Sequence, residues 1–172
     1  MVDSKAHADI RLLAAADAAP YREIRLEALR QHPEAFSSTF ARENEKPLAW
    51  FEERIAQGAV FGAFAANRLV GVAGFWQKDG EKERHKAALW GMYVRPAARR
   101  SGVGRRLVEA VLAHAAKLVE QLQLAVVSGN DDALRLYRNA GFVEYGREMR
   151  ALRQDGRYLD EILMARFLKE PS

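Results

Sequence analysis

The sequence predicts a mixed α/β domain, and three observations carry that prediction. Short apolar runs of strand length alternate with stretches whose apolar residues recur every three or four positions. A strand, a glycine-bearing basic loop and a helix follow one another at the centre: Ala87 to Val94, then Arg95 to Gly102, then an apolar stripe at Val103, Leu107, Val111, Ala115 and Leu118. The 172 residues, 49% hydrophobic and 29% charged, suffice for one core and are too apolar for a disordered chain. No repeat, linker or low-complexity run interrupts them, so residues 1–172 are expected to form a single domain.

Taken in order, Ile10 to Leu13 reads as a first strand, and Asp17 as the N-cap of a helix from Ala18 to Gln31 that ends before His32-Pro33. Glu34 to Lys46 reads as a loop holding two buried aromatics, Phe36 and Phe40. Pro47 opens a second helix, Leu48 to Ala56, with Trp50, Phe51 and Ile55 on its apolar side, and Gly58 closes it. Val60 to Ala65 and Leu69 to Trp76 are strands joined by a short turn at Ala66-Asn67-Arg68. The polar stretch Lys78 to Lys86 is a loop. After it comes the central strand, ended by Pro96, which brings no N–H to a ladder. The glycine inside that strand, Gly91, marks a bulge. The long helix runs from about Gly102 to Glu120. Leu122 to Val127, apolar and rich in β-branched residues, is a buried parallel strand. Asn130 or Asp131 caps a short helix ending at Gly141, and Val143 to Leu152 pairs with Arg157 to Phe167 across the Asp155-Gly156 turn.

Composition narrows the chemistry. With no cysteine there is no disulfide scaffold, no thiolate zinc site and no cysteine nucleophile; a reducing cytoplasm fits. The four histidines lack metal-ligand spacing, so no metal is expected. His32 falls at a helix end and His114 on a helix surface. No apolar run reaches membrane-span length, and Met1 to Pro20 does not read as a secretory signal, because its apolar patch is short and contains Arg11. The net charge of +4 is modest, but Arg95, Arg99, Arg100, Arg105 and Arg106 cluster without an acidic residue among them. Such a local field suits a small polyanion. Nucleic-acid readers interleave aromatics with a longer basic face, which is missing here.

The start of a helix offers free N–H groups and the positive end of its dipole to an anion, and Gly102 and Gly104 keep Cβ atoms out of the way. The Walker loop does not fit, because no Gly-Lys-Ser/Thr follows. The dinucleotide fingerprint does not fit either, for want of a third glycine. What fits is Arg/Gln-x-x-Gly-x-Gly/Ala, here Arg99-Arg100-Ser101-Gly102-Val103-Gly104. It resembles the pyrophosphate loop of the GNAT superfamily, the Gcn5-related N-acetyltransferases. Downstream, Asn130-Asp131-Asp132-Ala133-Leu134-Arg135-Leu136-Tyr137-Arg138-Asn139-Ala140-Gly141-Phe142 is similar to that superfamily's Asn-x-x-Ala-x-x-Leu-Tyr-x-x-x-Gly-Phe segment. The resemblance covers roughly Leu69 to Phe167.

It implies a single GNAT-like domain: a mixed sheet of about seven strands with helices on both faces, splayed between the fourth and fifth strands to admit acetyl-CoA. It implies direct acetyl transfer to a primary amine. The diphosphate would lie on Arg99, Arg100, Ser101, Gly102, Val103, Gly104 and Arg105. Backbone around Met92, Tyr93 and Val94 would meet the thioester, and Asn130 the pantetheine arm, although Asn130 serves equally as a plain helix cap. Tyr137 would be the catalytic hydrogen-bond donor to the leaving sulfur, unless its ring only packs. Full proton transfer from a phenol of pKa about 10 to a thiolate of about 8.5 costs roughly 2 kcal/mol, so hydrogen bonding comes first.

Members of the superfamily that acetylate ribosomal-type N-termini often carry Glu five positions before the Asn. Ala125 stands there, which argues against such a substrate and leaves the base unassigned among Glu81, Glu83, His85, Glu34 and Glu43. By the same resemblance the acceptor, a small amine or a peptide, is met by Tyr21 to Arg54 and Tyr145 to Tyr158. Phe36, Phe40 and Trp50 either line that pocket or belong to the core. Homodimers are common among similar proteins, and the apolar last strand offers a surface. Two other readings stand beside the enzyme: a non-catalytic acyl-CoA-binding or regulatory domain of the same fold, and a basic nucleic-acid-binding protein.

Overall fold

The computed structural model describes residues 8–170. The Met1–His7 part of the leader stretch lies outside the described residues. The strands are β1 (Asp9–Leu12), β2 (Ala59–Ala65), β3 (Arg68–Gln77), β4 (Lys86–Val94), β5 (Gln121–Val127), β6 (Val143–Gln154) and β7 (Arg157–Phe167). The helices are α1 (Ala18–Gln31), α2 (Phe40–Asn44), α3 (Leu48–Gln57), α4 (Val103–Leu118) and α5 (Asp131–Asn139). They build one seven-stranded sheet, ordered β1-β2-β3-β4-β5-β7-β6.

Every neighbouring pair is antiparallel except β4 and β5. A parallel pair needs a crossover, and α4 supplies it. The parallel ladder is short: Lys86, Ala87 and Ala88 face Gln121, Leu122 and Gln123, and pairing stops there. From Leu89 to Val94 the β5-facing edge of β4 is open, which is the expected splay.

Helices cover both faces because side chains alternate along each strand. On one face α4 and α5 bury Val103, Leu107, Val108, Val111, Leu134 and Tyr137 against Phe61, Phe75, Leu89, Leu122 and Met164. On the other, α1 and α3 bury Tyr21, Ile24, Phe51 and Ile55 against Val60, Val72 and Tyr93. Each large apolar side chain buried this way stabilises by about 1.5–3 kcal/mol. The α4 stripe departs from expectation at its end. Leu118 is 49% exposed, and Val119, just past the helix, takes the buried place at 1%.

Local chemistry accounts for other departures. Asp17 does flank α1, but its side chain makes no cap bond to the helix. It accepts from the Ala14 N–H at 2.8 Å and pairs with Arg11 at 2.7 Å. The Glu34–Lys46 segment is not all loop: Thr39 caps the short α2 by accepting from the Arg42 N–H. Its two aromatics are half-buried rather than buried, with Phe40 under Arg30. His114 is packed edge-on against Phe61 and Phe75, not displayed on a surface, and burial lowers its pKa. The last strand, β7, lies between β5 and β6, so the sheet edges belong to β1 and β6 and β7 is interior.

Candidate active site

The bulge expected at Gly91 is present and decides the site. Gly74 pairs with Trp90 and Val72 with Tyr93, so Gly91 and Met92 together oppose the single residue Ala73. Gly91 sits at φ +63, where a side chain is strained. The extra residue flips the alternation. Leu89 faces α4, Trp90 packs toward α1 and α3, and then Met92 faces α4 and Tyr93 the α1 side. Tyr93 is therefore buried with its one hydroxyl proton shared between the Glu27 carboxylate (3.0 Å) and the Gln31 amide oxygen (3.1 Å). Burial first, and then the Glu27 carboxylate, push its pKa up to about 12. Its side chain is core; only its backbone remains near the cleft. The Arg95 N–H donates to Val70 O on β3. Strand alternation then turns the Met92 and Val94 N–H groups to the other edge, where no strand pairs.

The loop ahead of α4 is open beside its first glycine. Gly102 is the N-cap at φ +80, supplies no side-chain cap, and has nothing within 4 Å of where a Cβ would stand. The first helical bond runs from the Arg106 N–H to Gly102 O (3.1 Å). The amides of Val103, Gly104 and Arg105 precede it and lack intrahelical partners. A Cβ at Gly104 would come within 3.4 Å of Met92 Cε and 3.6 Å of Leu136, so the helix start, α5 and the end of β4 converge at one point.

The basic cluster is less free than its sequence suggests. Arg95 turns back to α1, bridging Glu23 and Glu27 at 2.9 Å each. Arg106 donates to Ala8 O, and Arg105 pairs with Glu109 at 3.7 Å on the surface. Arg99 donates to Val94 O (2.9 Å), and Ser101 Oγ to Ala98 O (2.6 Å). Arg100 is exposed and held at φ +60, a costly conformation outside glycine.

On α5, Asn130 Oδ1 accepts from the Ala133 N–H at 3.3 Å, so the capping role is present. Tyr137 is 5% exposed, its ring edge-on to Phe142. Burial alone drives its phenol far above the ordinary value, which keeps it neutral and a hydrogen-bond donor.

The base candidates separate by position. Glu81, Glu83 and His85 are exposed at the closed end of the splay, with Glu83 paired to Lys86. His85 lies seven residues, roughly 23 Å, before Met92 along the strand. Glu34 is exposed beside His32. Glu43 is buried. Burial raises its carboxyl, but the hydrogen bonds and charge of Arg25 outweigh that and hold it below the usual range, ionised and weakly basic. The residue that sequence reasoning missed is Glu161 on β7. It lines a cavity of about 610 Å³ with Arg54, Trp50, Trp90, Ala125 and Leu163. It pairs across the sheet with Val127, one alternation from the Ala125–Leu163 pair. Burial, then the facing Glu148, raise its pKa. Only the β5–β7 register brings it there; its one local signal is an acid within an apolar strand.

Comparison with known proteins fits this geometry. A model of the Acetyltransferase (GNAT) family matches residues 21–142. An N-alpha-acetyltransferase RimI of Mycobacterium tuberculosis is 33% identical over 135 residues, 77% of this chain and 82% of that one. An uncharacterized Mycobacterium leprae protein is 33% identical over 132 residues, 76% of this chain but only 35% of its own length. Among solved structures, a ribosomal-protein-alanine N-acetyltransferase from Brucella melitensis aligns with TM-score 0.78 and 26% identity over 92% of this chain and 99% of that one. A Salmonella typhimurium acetyltransferase solved with acetyl-CoA aligns with TM-score 0.82 and 24% identity over 96% of each, which shows the shared fold. With a family match over most of its length and a relative one third identical across most of both chains, this chain belongs to the GNAT family of acetyltransferases.

Proposed function

We propose that the protein moves the acetyl group of acetyl-CoA to a primary amine by direct attack in the β4–β5 cleft, and that it works in the cytoplasm. The observation that carries this is the open edge of β4 from Leu89 to Val94, facing the unpaired amides at the start of α4. In this reading the amides of Gly102 to Arg105, with Arg99 and Arg100 beside them, hold the diphosphate. The Met92 and Val94 N–H groups meet the thioester oxygen as it gains charge. The amine nitrogen bonds to the carbonyl carbon and the carbon–sulfur bond breaks. Tyr137 donates a hydrogen bond to the departing sulfur, and Glu161 takes the ammonium proton, directly or through water. The Met92 and Val94 side chains wall the cleft. Asn130 serves first as the α5 cap.

The amine acceptor is not a ribosomal-type N-terminus in this proposal, although the similar Brucella melitensis structure carries such a name: Ala125 has no carboxylate to offer. The test has two parts. Acetyl-CoA should raise the melting temperature, by an amount equivalent to about 2.7 kcal/mol at a hundredfold excess over Kd. Amines should then release free CoA thiol. A protein that binds the carrier yet acetylates nothing would be the acyl-CoA-binding domain instead.

A further inference from the structure

The acceptor cavity carries an unbalanced set of donors. Arg25 and Glu43 in its wall neutralise each other through two 2.8 Å hydrogen bonds. Arg54 has no such partner. Its guanidinium carbon lies 4.4 Å from the Trp50 ring centre and 4.8 Å from that of Trp90, stacked against both indoles. Its Nε is buried without a hydrogen bond. The Tyr21 phenol and the Glu43 carboxylate both feel its charge, but Glu43 is taken up by Arg25, and no carboxylate forms an ion pair with Arg54 among the described residues. The indole nitrogen of Trp90 is likewise buried and unpaired. These two are donors only. Desolvated donors without acceptors are rare because they are costly, and they point to a ligand that supplies the acceptor. Arg42 and Lys78 add positive charge to the same wall, and Glu161 is the carboxylate left unpaired there.

We propose that the acceptor is a small primary amine bearing a carboxylate, of the α-amino-acid type, its carboxylate on the Arg54 fork and the Trp90 N–H and its amine toward Glu161. A stacked guanidinium presents a planar fork matched to a carboxylate. The aromatic walls of Phe36, Trp50 and Trp90 suit an apolar side chain. The N-terminal residue of a peptide offers a neutral amide where this site offers charge. The proposal rests on the acetyltransferase reading above and narrows it.

The experiment measures thiol release from acetyl-CoA with L-phenylalanine, L-methionine and L-tryptophan, each beside its primary amide and a short peptide beginning with it. The free acids should be preferred by about tenfold or more in kcat/KM. Arg54→Gln should raise KM for the acids far more than for the amides and so abolish that preference. Trp90→Phe, which keeps a ring and removes the N–H, should raise KM for the acids more than for the amides and covers the case in which Arg54→Gln fails to fold. Amides or peptides used as well as the acids, or both variants impairing acids and amides alike, overturn the proposal. So does the absence of turnover with every acid while acetyl-CoA still raises the melting temperature. Loss of that thermal shift would instead overturn the carrier reading beneath it.

Discussion

Arg25 and Glu43, eighteen positions apart, are joined by two parallel hydrogen bonds of 2.8 Å with both side chains almost wholly buried. The pair ties α2 to α1 and fixes one wall of the cavity that Glu161 also lines. Removing one partner strands the other charge, so Glu43→Gln is expected to cost about 3–5 kcal/mol in urea unfolding at neutral pH. The folded pKa of Glu43 is depressed. Its stabilisation is therefore complete above the ordinary carboxylate value and fades as pH falls through the lower folded value. The gap between wild type and variant should narrow over that acidic window and stay constant above it.

Tyr137→Phe should lower kcat by about 10²–10⁴-fold if the phenol serves the leaving sulfur. The acetyl-CoA thermal shift should persist, since the ring and its contact with Phe142 remain. Equal loss of turnover and carrier binding in a folded variant would assign the ring a packing role only.

The raised Glu161 carboxyl predicts a pH profile. Its basic form accumulates only above the ordinary value of about 4.3, so kcat/KM should climb with pH through an apparent pKa higher than that. Glu161→Gln should remove this limb and slow turnover about a hundredfold. Retention of the limb would place the base elsewhere.

The arginines next to the loop should divide by partner. Arg95→Ala breaks two ion pairs with α1 and should lower stability while sparing acetyl-CoA affinity in calorimetry. Arg100→Ala loses an exposed charge at the proposed diphosphate site and relieves an unfavourable φ no more than alanine allows. It should weaken acetyl-CoA a few-fold, by about 0.2–1 kcal/mol, and flatten the salt dependence.

Gly91→Ala places a β-carbon at φ +63. The bulge should resist or relax at a cost of about 1–2 kcal/mol, with KM for acetyl-CoA rising as the Met92 and Val94 amides shift. An unchanged melting temperature would show that the bulge tolerates a side chain.

Residue pattern alone determined the run of strands and helices save the short α2, which reads as loop, together with Gly91 as the bulge and both motif segments. Periodicity, turn residues and loop glycines act over a few positions, so they are readable without knowing what packs against them. The family resemblance rested on those same local segments. Tertiary structure decided the rest. The bulge sent Tyr93 to Glu27 and away from the cleft, and α1 supplied Glu23 and Glu27 to tie up Arg95. The β5–β7 register brought Glu161 beside Ala125, and the packing of α3 brought Arg54 against Trp90 of β4. Each of these joins residues at least thirty positions apart. Such a pairing depends on which faces bury together, and no stretch of local sequence states it.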